Sequence, residues 1–587
     1  HIMNNRTLVF ASGAAAFALV LAGCAPSVDA STSTTDNSST ASPTGDAYKT
    51  AAEVLAENQQ AHDEDGADAA SDAQYEETDA VTIALGGSSA TSSDSESVTI
   101  DGTTVTISGA GTFVLSGELE GQIVVNSEVD GQVKLVLDGV DISNSAGAAL
   151  DIMAADEAVV ILAAGASNAL SDGAGVSADR ASAALNSAAD LTITGTGSLD
   201  VTGAANDGIA SSDGLIIQSG TITVHAVDDG IRGKDYLIVR GGSIDVVAGG
   251  DGLKSDNEED ATRGYIALLG GDTTITSDDE GLDAFTDVVV TEVAGTAESS
   301  DTTLKITAGG GNAVGGEDAS AKGISAGVIG VFEGGAIAID AADDAINVDA
   351  YVHLAGATVE LASGDDGVHA DLQLVVSAGD LTITESVEGL ESGEIVIAGG
   401  ATDVTASDDG LNVSEPDSGT AAQALLISGG ILLVDAGGDG LDVNSGSLTQ
   451  TGGTVVVSGP TDNGNGALDA DGGVTISGGT LVALGSSGMA MAPAASSAQA
   501  TVQFALSQAA VAGTTLTLTD ASGNAIASIT VTKATQNVVY SAPEIVNGDS
   551  YTLLSGGSAG TSIVGPLAEG GSGGTTLVTA VAGQQQG

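Results

Sequence analysis

The chain has 587 residues, 42% of them hydrophobic, with 12 lysines and arginines against 80 aspartates and glutamates and a formal net charge of −68. A field of that sign repels nucleic acid and anionic membrane surfaces and draws cations, while the apolar content is too high for a disordered acidic tail. Six Phe, seven Tyr and no Trp leave Val, Ile, Leu and Ala to build a core.

His1-Ile2-Met3 reads as an expression scar ahead of a natural start at Met3. Residues 1–24 then carry Arg6, an apolar run from Leu8 to Leu21, and Leu21-Ala22-Gly23-Cys24. This resembles a bacterial lipoprotein signal, in which Cys24 is lipidated and becomes the mature N-terminus of an extracellular, cell-surface protein. An ordinary secretory signal or a short membrane anchor is the alternative. Cys24 is the only cysteine, so no internal disulfide can form. No later segment has the long uncharged apolar run of a membrane span, and membrane contact is expected through the N-terminal lipid alone. Residues 25–80 are expected to be a disordered linker, Ser/Thr-rich at first and then Ala-rich and acidic, with some helix around AYKTAAEVLAENQQA.

From Val81 the texture changes to alternating β-formers punctuated by glycine, as in VTIDGTTVTISGAGTFVLSG. A phrase resembling SGDDGVHA recurs, and its glycine falls at Gly208, Gly230, Gly252, Gly281, Gly323, Gly367, Gly389, Gly410, Gly440 and Gly466, with Ala345 in one slot. Many of these marks are 22 residues apart, and the longer steps carry insertions such as AGTAESSD and SEPDSGTAAQA that read as loops. A unit of two or three short strands cannot bury its own apolar face, so the units must stack. The period suits an all-β parallel β-helix over residues 81–490, one coil per unit. Leucine-rich repeats share the period but would need an asparagine ladder, and a propeller blade would need about twice the length. Residues 497–565 lack the marks and have hairpin signals, which predicts a small antiparallel module covering the open end of the coil. The Gly-rich stretch 566–587 is expected to be a flexible tail.

Stacking puts equivalent residues of adjacent coils about 4.7–4.9 Å apart. The residues before the marks are Asp207, Asp229, Asp251, Glu280, Lys322, Asp344, Asp366, Glu388, Asp409, Asp439 and Asn465, and one place earlier come Asp228, Asp279, Asp343, Asp365 and Asp408. Bare carboxylates at that spacing repel by about 3–4 kcal/mol at an effective dielectric near 20. Calcium takes oxygen ligands at about 2.3–2.6 Å, so two ligands on opposite sides of one ion match the coil spacing. Asp207, Asp228, Asp229, Asp251, Asp279, Asp343, Asp344, Asp365, Asp366, Asp408, Asp409 and Asp439 are therefore the candidate calcium ligands. Asp-Gly is also an ordinary turn former, and for a single pair such as Asp213-Gly214 the turn is preferred.

Nine basic residues lie between Val81 and Leu484, five of them from Arg232 to Arg263. Their plainer role is to neutralise neighbouring carboxylates. The sharper one is an acid-sugar site in which calcium holds one uronate carboxylate and Arg232, Lys234, Lys254 or Lys322 another.

The runs VDDGIRGKDYLIVRGGSIDVVAGGDGLKSDNEED, TRGYIALLGGDTTITS, SAKGISAG, DDGVHADLQL and ESVEGLESGEIVIAGG, in that order, resemble the secreted carbohydrate-binding β-helix proteins related to pectate lyases. The resemblance covers roughly residues 82–560 and implies a right-handed parallel β-helix, bound calcium, extracellular placement and affinity for polysaccharide, acidic sugars above all. It retains His369 in DDGVHA, which joins the expected sugar contacts, but has Asn347 and Val387 where the family pattern often has His and Tyr. The expected function is thus calcium-dependent, non-catalytic binding of acidic, polygalacturonate-like glycans by a monomer. A pectate-type lyase with Lys234, Lys254 or Lys322 as base, or a structural surface adhesin, are the alternatives.

Overall fold

A computed structural model describes residues 45–62, 71–175, 183–292, 301–315, 319–417 and 421–584. The expectations for residues 1–44, including the lipidation of Cys24, lie outside the described residues.

Short runs of β-formers broken by glycine fold as three strands per repeat. One repeat runs Ile231–Gly233, Tyr236–Val239, Ser243–Ala248, and the next Leu253–Ser255, Tyr265–Leu268, Asp272–Ser277. Each strand pairs in parallel with its counterpart: Ile231 with Leu253, Tyr236 with Tyr265, Ser243 with Asp272. Repetition of this pairing gives a 16-stranded sheet, the first column, and a 30-stranded sheet holding the second and third columns. The last two columns merge where Tyr351–Ser363 and Gln373–Glu385 run through both. The protein is nearly all-β with long parallel sheets.

Each column buries its side chains differently. The three-residue strands of the first column bury their flanking residues and turn the middle one outward, as Ile231, Arg232 and Gly233 do. The third column alternates exposed and buried positions through Ser243–Ala248. Tyr236–Val239 of the second column is buried throughout. Inside the three columns runs one aliphatic core, from Ile83 through Ile244, Ile306 and Leu374 to Ile476.

The marked glycines answer to packing. Gly230, Gly252, Gly367 and Gly389 are absent from the left-handed region that other glycines occupy, so backbone conformation does not demand glycine there. A Cβ on Gly230 would lie 2.3 Å from Val246 Cγ1, and one on Gly389 2.2 Å from Val404 Cγ1. The branch methyl of a third-column residue and the carbonyl oxygen of the next mark, Gly252 O at 2.5 Å and Gly410 O at 2.3 Å, fill the space. In that column Ile339 pairs with Leu361 and Leu361 with Ile383. Leu361, which has no methyl on its Cβ, belongs to the repeat whose mark is Ala345. Positive φ is demanded elsewhere, at the second glycine of the Gly-Gly turns such as Gly430 (φ 73°).

Both ends switch to antiparallel pairing. Ala90–Ser92 lies antiparallel on Val81–Gly87 at one end, and Thr535–Ser541 on Thr480–Gly485 at the other. Beyond it, a six-stranded antiparallel sheet is built from Thr515–Thr519, Ala525–Thr530, Ser550–Ser555, Ser558–Val564, Leu567–Ser572 and Thr575–Val581. The loose tail expected over 566–587 is corrected here: Leu567 pairs with Ile529 and Thr579 with Thr552. Alternation in LVTAV outweighs the glycines before it.

The disordered linker over 25–80 is corrected too, for its second half. The helix Ala51–Glu57 is capped by Thr50 and Glu53 in a capping box, and Ala47, Ala51, Val54 and Ala61 are buried. Ala51, Val54 and Ala61 cover Ile238, Tyr265, Val289 and Val331 of the second column, and Ala47 packs on Val375 and Val396, which is why that column is apolar on both faces. Asn58 Nδ2 donates to Asp287 Oδ2 at 2.7 Å in a buried bond, and Gln59 N to Thr262 O at 2.7 Å. Farther along, Lys134 Nζ donates to the carbonyl oxygens of Ser71, Asp72 and Gln74.

Candidate functional site

The carboxylate column exists. The marked residues donate backbone N–H groups to the carbonyls of the residues before the next marks, Gly230 to Asp251, Gly367 to Glu388 and Gly410 to Asp439, which holds the acids in register. Within each doublet the second acid turns in and the first out. Asp207, Asp229, Asp251, Asp344 and Asp366 are buried, whereas Asp228, Asp279, Asp365 and Asp408 are exposed and Asp343 half-buried. The buried members have structural work. Oδ1 of Asp229, Asp344 and Asp409 accepts the backbone N–H of Asp251, Asp366 and Asp439 at 3.0, 2.9 and 2.6 Å.

A second column runs beside the first, two residues beyond each mark, once the last mark is corrected from Gly466 to Ala467. Gly440 N donates to Gly466 O and Leu441 N to Ala467 O, as Gly230 N does to Asp251 O and Ile231 N to Gly252 O. Arg232, Lys254, Asp283, Ser325, Asn347, His369, Glu391, Asn412, Asp442 and Asp469 are register partners in turn, the middle residues of the first-column strands, and of these Asn412 is buried. The repeat offered no motif for them, because their types vary from turn to turn. Only the regular +2 offset from the mark signals the column.

Together the columns gather ligand-type atoms within 4.8 Å of one another in five sets. These are Asp344, Asp366 and His369; Asp343, Asp344 and Asp365; Asp366, Glu388 and Glu391; Asp409, Asp439 and Asp442; and Asp251, Asp279 and Glu280. Eight of the twelve expected aspartates take part. Asp207, Asp228, Asp229 and Asp408 enter none of these sets, whereas Glu280, Glu388, Glu391 and Asp442, all outside the expected ligand set, do.

Cations of the chain already serve part of the ladder. Lys254 Nζ approaches Asp251, Asp229 at 3.4 Å and Asp283 at 3.8 Å. Burial opposes its charge, but Asp251, Asp229 and Asp283 more than reverse this and hold its pKa above the ordinary value. Lys322 Nζ lies 2.6 Å from Asp343, which raises its pKa against the same opposition. Arg232 forms a two-pronged pair with Asp256 at 3.1 and 2.7 Å. Lys234 is half-buried, and no ion pair engages it among the described residues. His369 Nδ1 is 3.9 Å from Asp366 Oδ2 and 3.4 Å from Asn347 Nδ2.

From Asp366 to Asp442 the situation differs. Among the described residues no lysine or arginine pairs with Asp366, Glu388, Glu391, Asp409, Asp439 or Asp442. Burial first, then Asp344 and Glu391, pushes the Asp366 carboxyl far above the carboxylate range. Burial, with Glu391 and Asp409 adding, raises Glu388 to about 7. Burial and Asp409 raise Asp442 to about 7, and burial with Asp439 raises Asp409 to about 6. These groups resist losing their protons because nothing positive stands between them. Nearly all the donors are hard oxygens, the set calcium prefers.

A family model described as carbohydrate-binding domain-containing protein matches residues 101–367. A curated protein of Acetivibrio thermocellus with the same description is 36% identical over 128 residues, 21% of this chain and 45% of that protein. The chain thus spans less than half the length of the curated relative it matches. The solved structure of a polysaccharide lyase-like protein from C. thermocellum, a gadolinium derivative, is 29% identical, covers 43% of this chain and 98% of its own, and has a TM-score of 0.36.

Proposed function

We propose that this protein binds polysaccharide of acidic, polygalacturonate-like character at the cell surface, without catalysis. Its fold is read as a right-handed parallel β-helix, and its anchor as a lipid on Cys24. Calcium is the expected cofactor. Asp366, Glu388 and Glu391 would hold one ion, and Asp409, Asp439 and Asp442 another. When bound, calcium would supply positive charge to which a uronate carboxylate can add as a further oxygen ligand.

The observation that carries this reading is the run from Asp366 to Asp442, where buried and half-buried acids cluster and, among the described residues, no lysine or arginine pairs with them. A polyanion meets a net charge of −68 and needs a positive bridge. His369 and Asn347 stand on the same column, both half-buried, and would offer hydrogen bonds to sugar hydroxyls. The family description matched by residues 101–367 supports a carbohydrate partner. Lys254 and Lys322 act as counter-charges, because the acids around them raise their pKa values while a general base needs a lowered one.

The backbone bonds made by Asp229, Asp344 and Asp409 favour one second reading, in which cations only stiffen a structural rod. Retention of the protein on immobilised polygalacturonate, with calcium and with EDTA, separates the two. Retention with calcium alone is expected. Melting that responds to calcium without any retention leaves the stiffening role, and steady release of unsaturated product would sink the non-catalytic assignment.

A further inference from the structure

Where the last turn of the coil meets the C-terminal sheet lies a cavity of about 350 Å³, within the size range of small-ligand pockets. Its walls come from four stretches of the chain: Ser477 after Val474–Ile476, the connecting stretch and strand start over 492–503, and the turns at 543–547 and 583–584. Backbone bonds fix them together. Gln499 N donates to Ile476 O at 3.1 Å, Ala494 N to Val474 O at 2.8 Å and Gly583 N to Thr501 O at 2.9 Å.

The lining has an unusual character for this chain. None of its residues is charged, although 16% of the sequence is. Hydroxyls and amides dominate, from Ser477, Ser497, Gln499, Thr501, Asn547 and Gln584, beside the apolar faces of Pro493, Pro543 and Ile545. Gln499 Nε2 donates to Gly479 O and Ser541 Oγ, both at 3.0 Å, which sets the orientation of its amide. The Thr501 hydroxyl oxygen is withdrawn from solvent and has no hydrogen-bond partner.

Amides and hydroxyls each donate and accept, which suits ligands whose groups do the same. A cation would find no carboxylate on these walls. An anion would find no positive charge in a strongly negative chain. We infer that this cavity is a binding site for a neutral sugar, one that works without calcium. It is separate from the carboxylate ladder and does not rest on the calcium reading of that ladder.

The test uses the full chain in EDTA, probed with cellotetraose, xylotetraose, mannotetraose and galactotetraose by saturation-transfer NMR. At least one of the four should bind. Ala498→Trp, at an exposed lining position, should weaken that binding by about tenfold or more while calcium-dependent retention on polygalacturonate stays unchanged. If the tryptophan lowers the melting temperature, Asn547→Ala, which trims an exposed amide, serves as the second variant and should weaken binding in the same way. Silence from all four sugars, or binding that survives both substitutions, overturns the inference. Loss of polygalacturonate retention with neutral-sugar binding intact would count against the ladder reading alone.

Discussion

Asp344 Oδ1 accepts the backbone N–H of Asp366 at 2.9 Å, and carboxylate oxygens of the same two residues lie within 4.8 Å of each other and of His369. One acid thus splints the next turn of the chain while both aim charge at a shared point. The splint works at any charge state that leaves Oδ1 an acceptor; the shared point is stable only with a proton or a cation in it.

Asp366→Asn should separate these two roles. Without calcium, removing one of the crowded charges should leave the melting temperature equal to or above that of the unmodified protein. With calcium, the gain seen in the unmodified protein should shrink. Differential scanning calorimetry in EDTA and in calcium reads both, and a full calcium gain in the variant would exclude Asp366 as a ligand.

The raised acids fix the direction of the pH response. Glu388 and Asp442 titrate near 7 and Asp409 near 6 when folded, against roughly 4 in the unfolded chain. The folded state therefore binds more protons between those values, and stability falls as pH rises through the window. In EDTA the melting temperature should drop from about pH 4 to about pH 7. The increment from calcium should grow over the same range, because ligands must be deprotonated. A calcium increment independent of pH would contradict the assignment.

Lys254→Met removes the cation shared by Asp229, Asp251 and Asp283. A loss of about 1–3 kcal/mol in calcium-free urea unfolding is expected, as for a partly buried charge network deprived of one member. Calcium should recover part of it, since the vacated position then resembles the run from Asp366 to Asp442. Equal losses with and without calcium would show that the site cannot accept the ion.

Gly367→Ala places a Cβ 2.6 Å from both Gly389 O and Ile383 Cδ1 and 3.0 Å from the branch methyl Ile383 Cγ2, and should cost about 1–3 kcal/mol by overpacking. Adding Ile383→Leu, which imitates the Ala345 and Leu361 repeat, should return part of that stability. Ala345→Gly should change little, by about 1 kcal/mol or less. Urea unfolding of the four proteins checks the pattern, and a Gly367→Ala variant as stable as the parent would show that the branch methyl does not set the glycine.

Much of this was legible along the chain. The return of DDG-like phrases at a regular interval placed Asp229, Asp251, Asp344, Asp366 and Asp409 in one column, because parallel pairing converts sequence period into spatial register. Glu391 and Asp442 escaped notice since the +2 position holds Arg, Lys, Ser, Asn and His on other turns and so forms no motif. The covering segment around Val54 carries too short a helix to advertise a docked face, and its partner strip, from Ile238 to Val331, is apolar only because something covers it. Leu567–Ser572 and Thr575–Val581 hide behind glycines whose conformational freedom reads as looseness until pairing restrains them.

Composition and period by themselves determined a stack of short strands around an aliphatic core with acids on its rim. Side-chain alternation and the volume left beside a β-branched residue act locally, and every repeat states them again. Which cation answers the acids was decided only in three dimensions. Lys254 reaches three carboxylates and Lys322 one, while no lysine or arginine among the described residues reaches Glu388 or Asp442. That outcome depends on distances between turns and on the direction each long side chain takes, quantities that a linear order of residues does not contain.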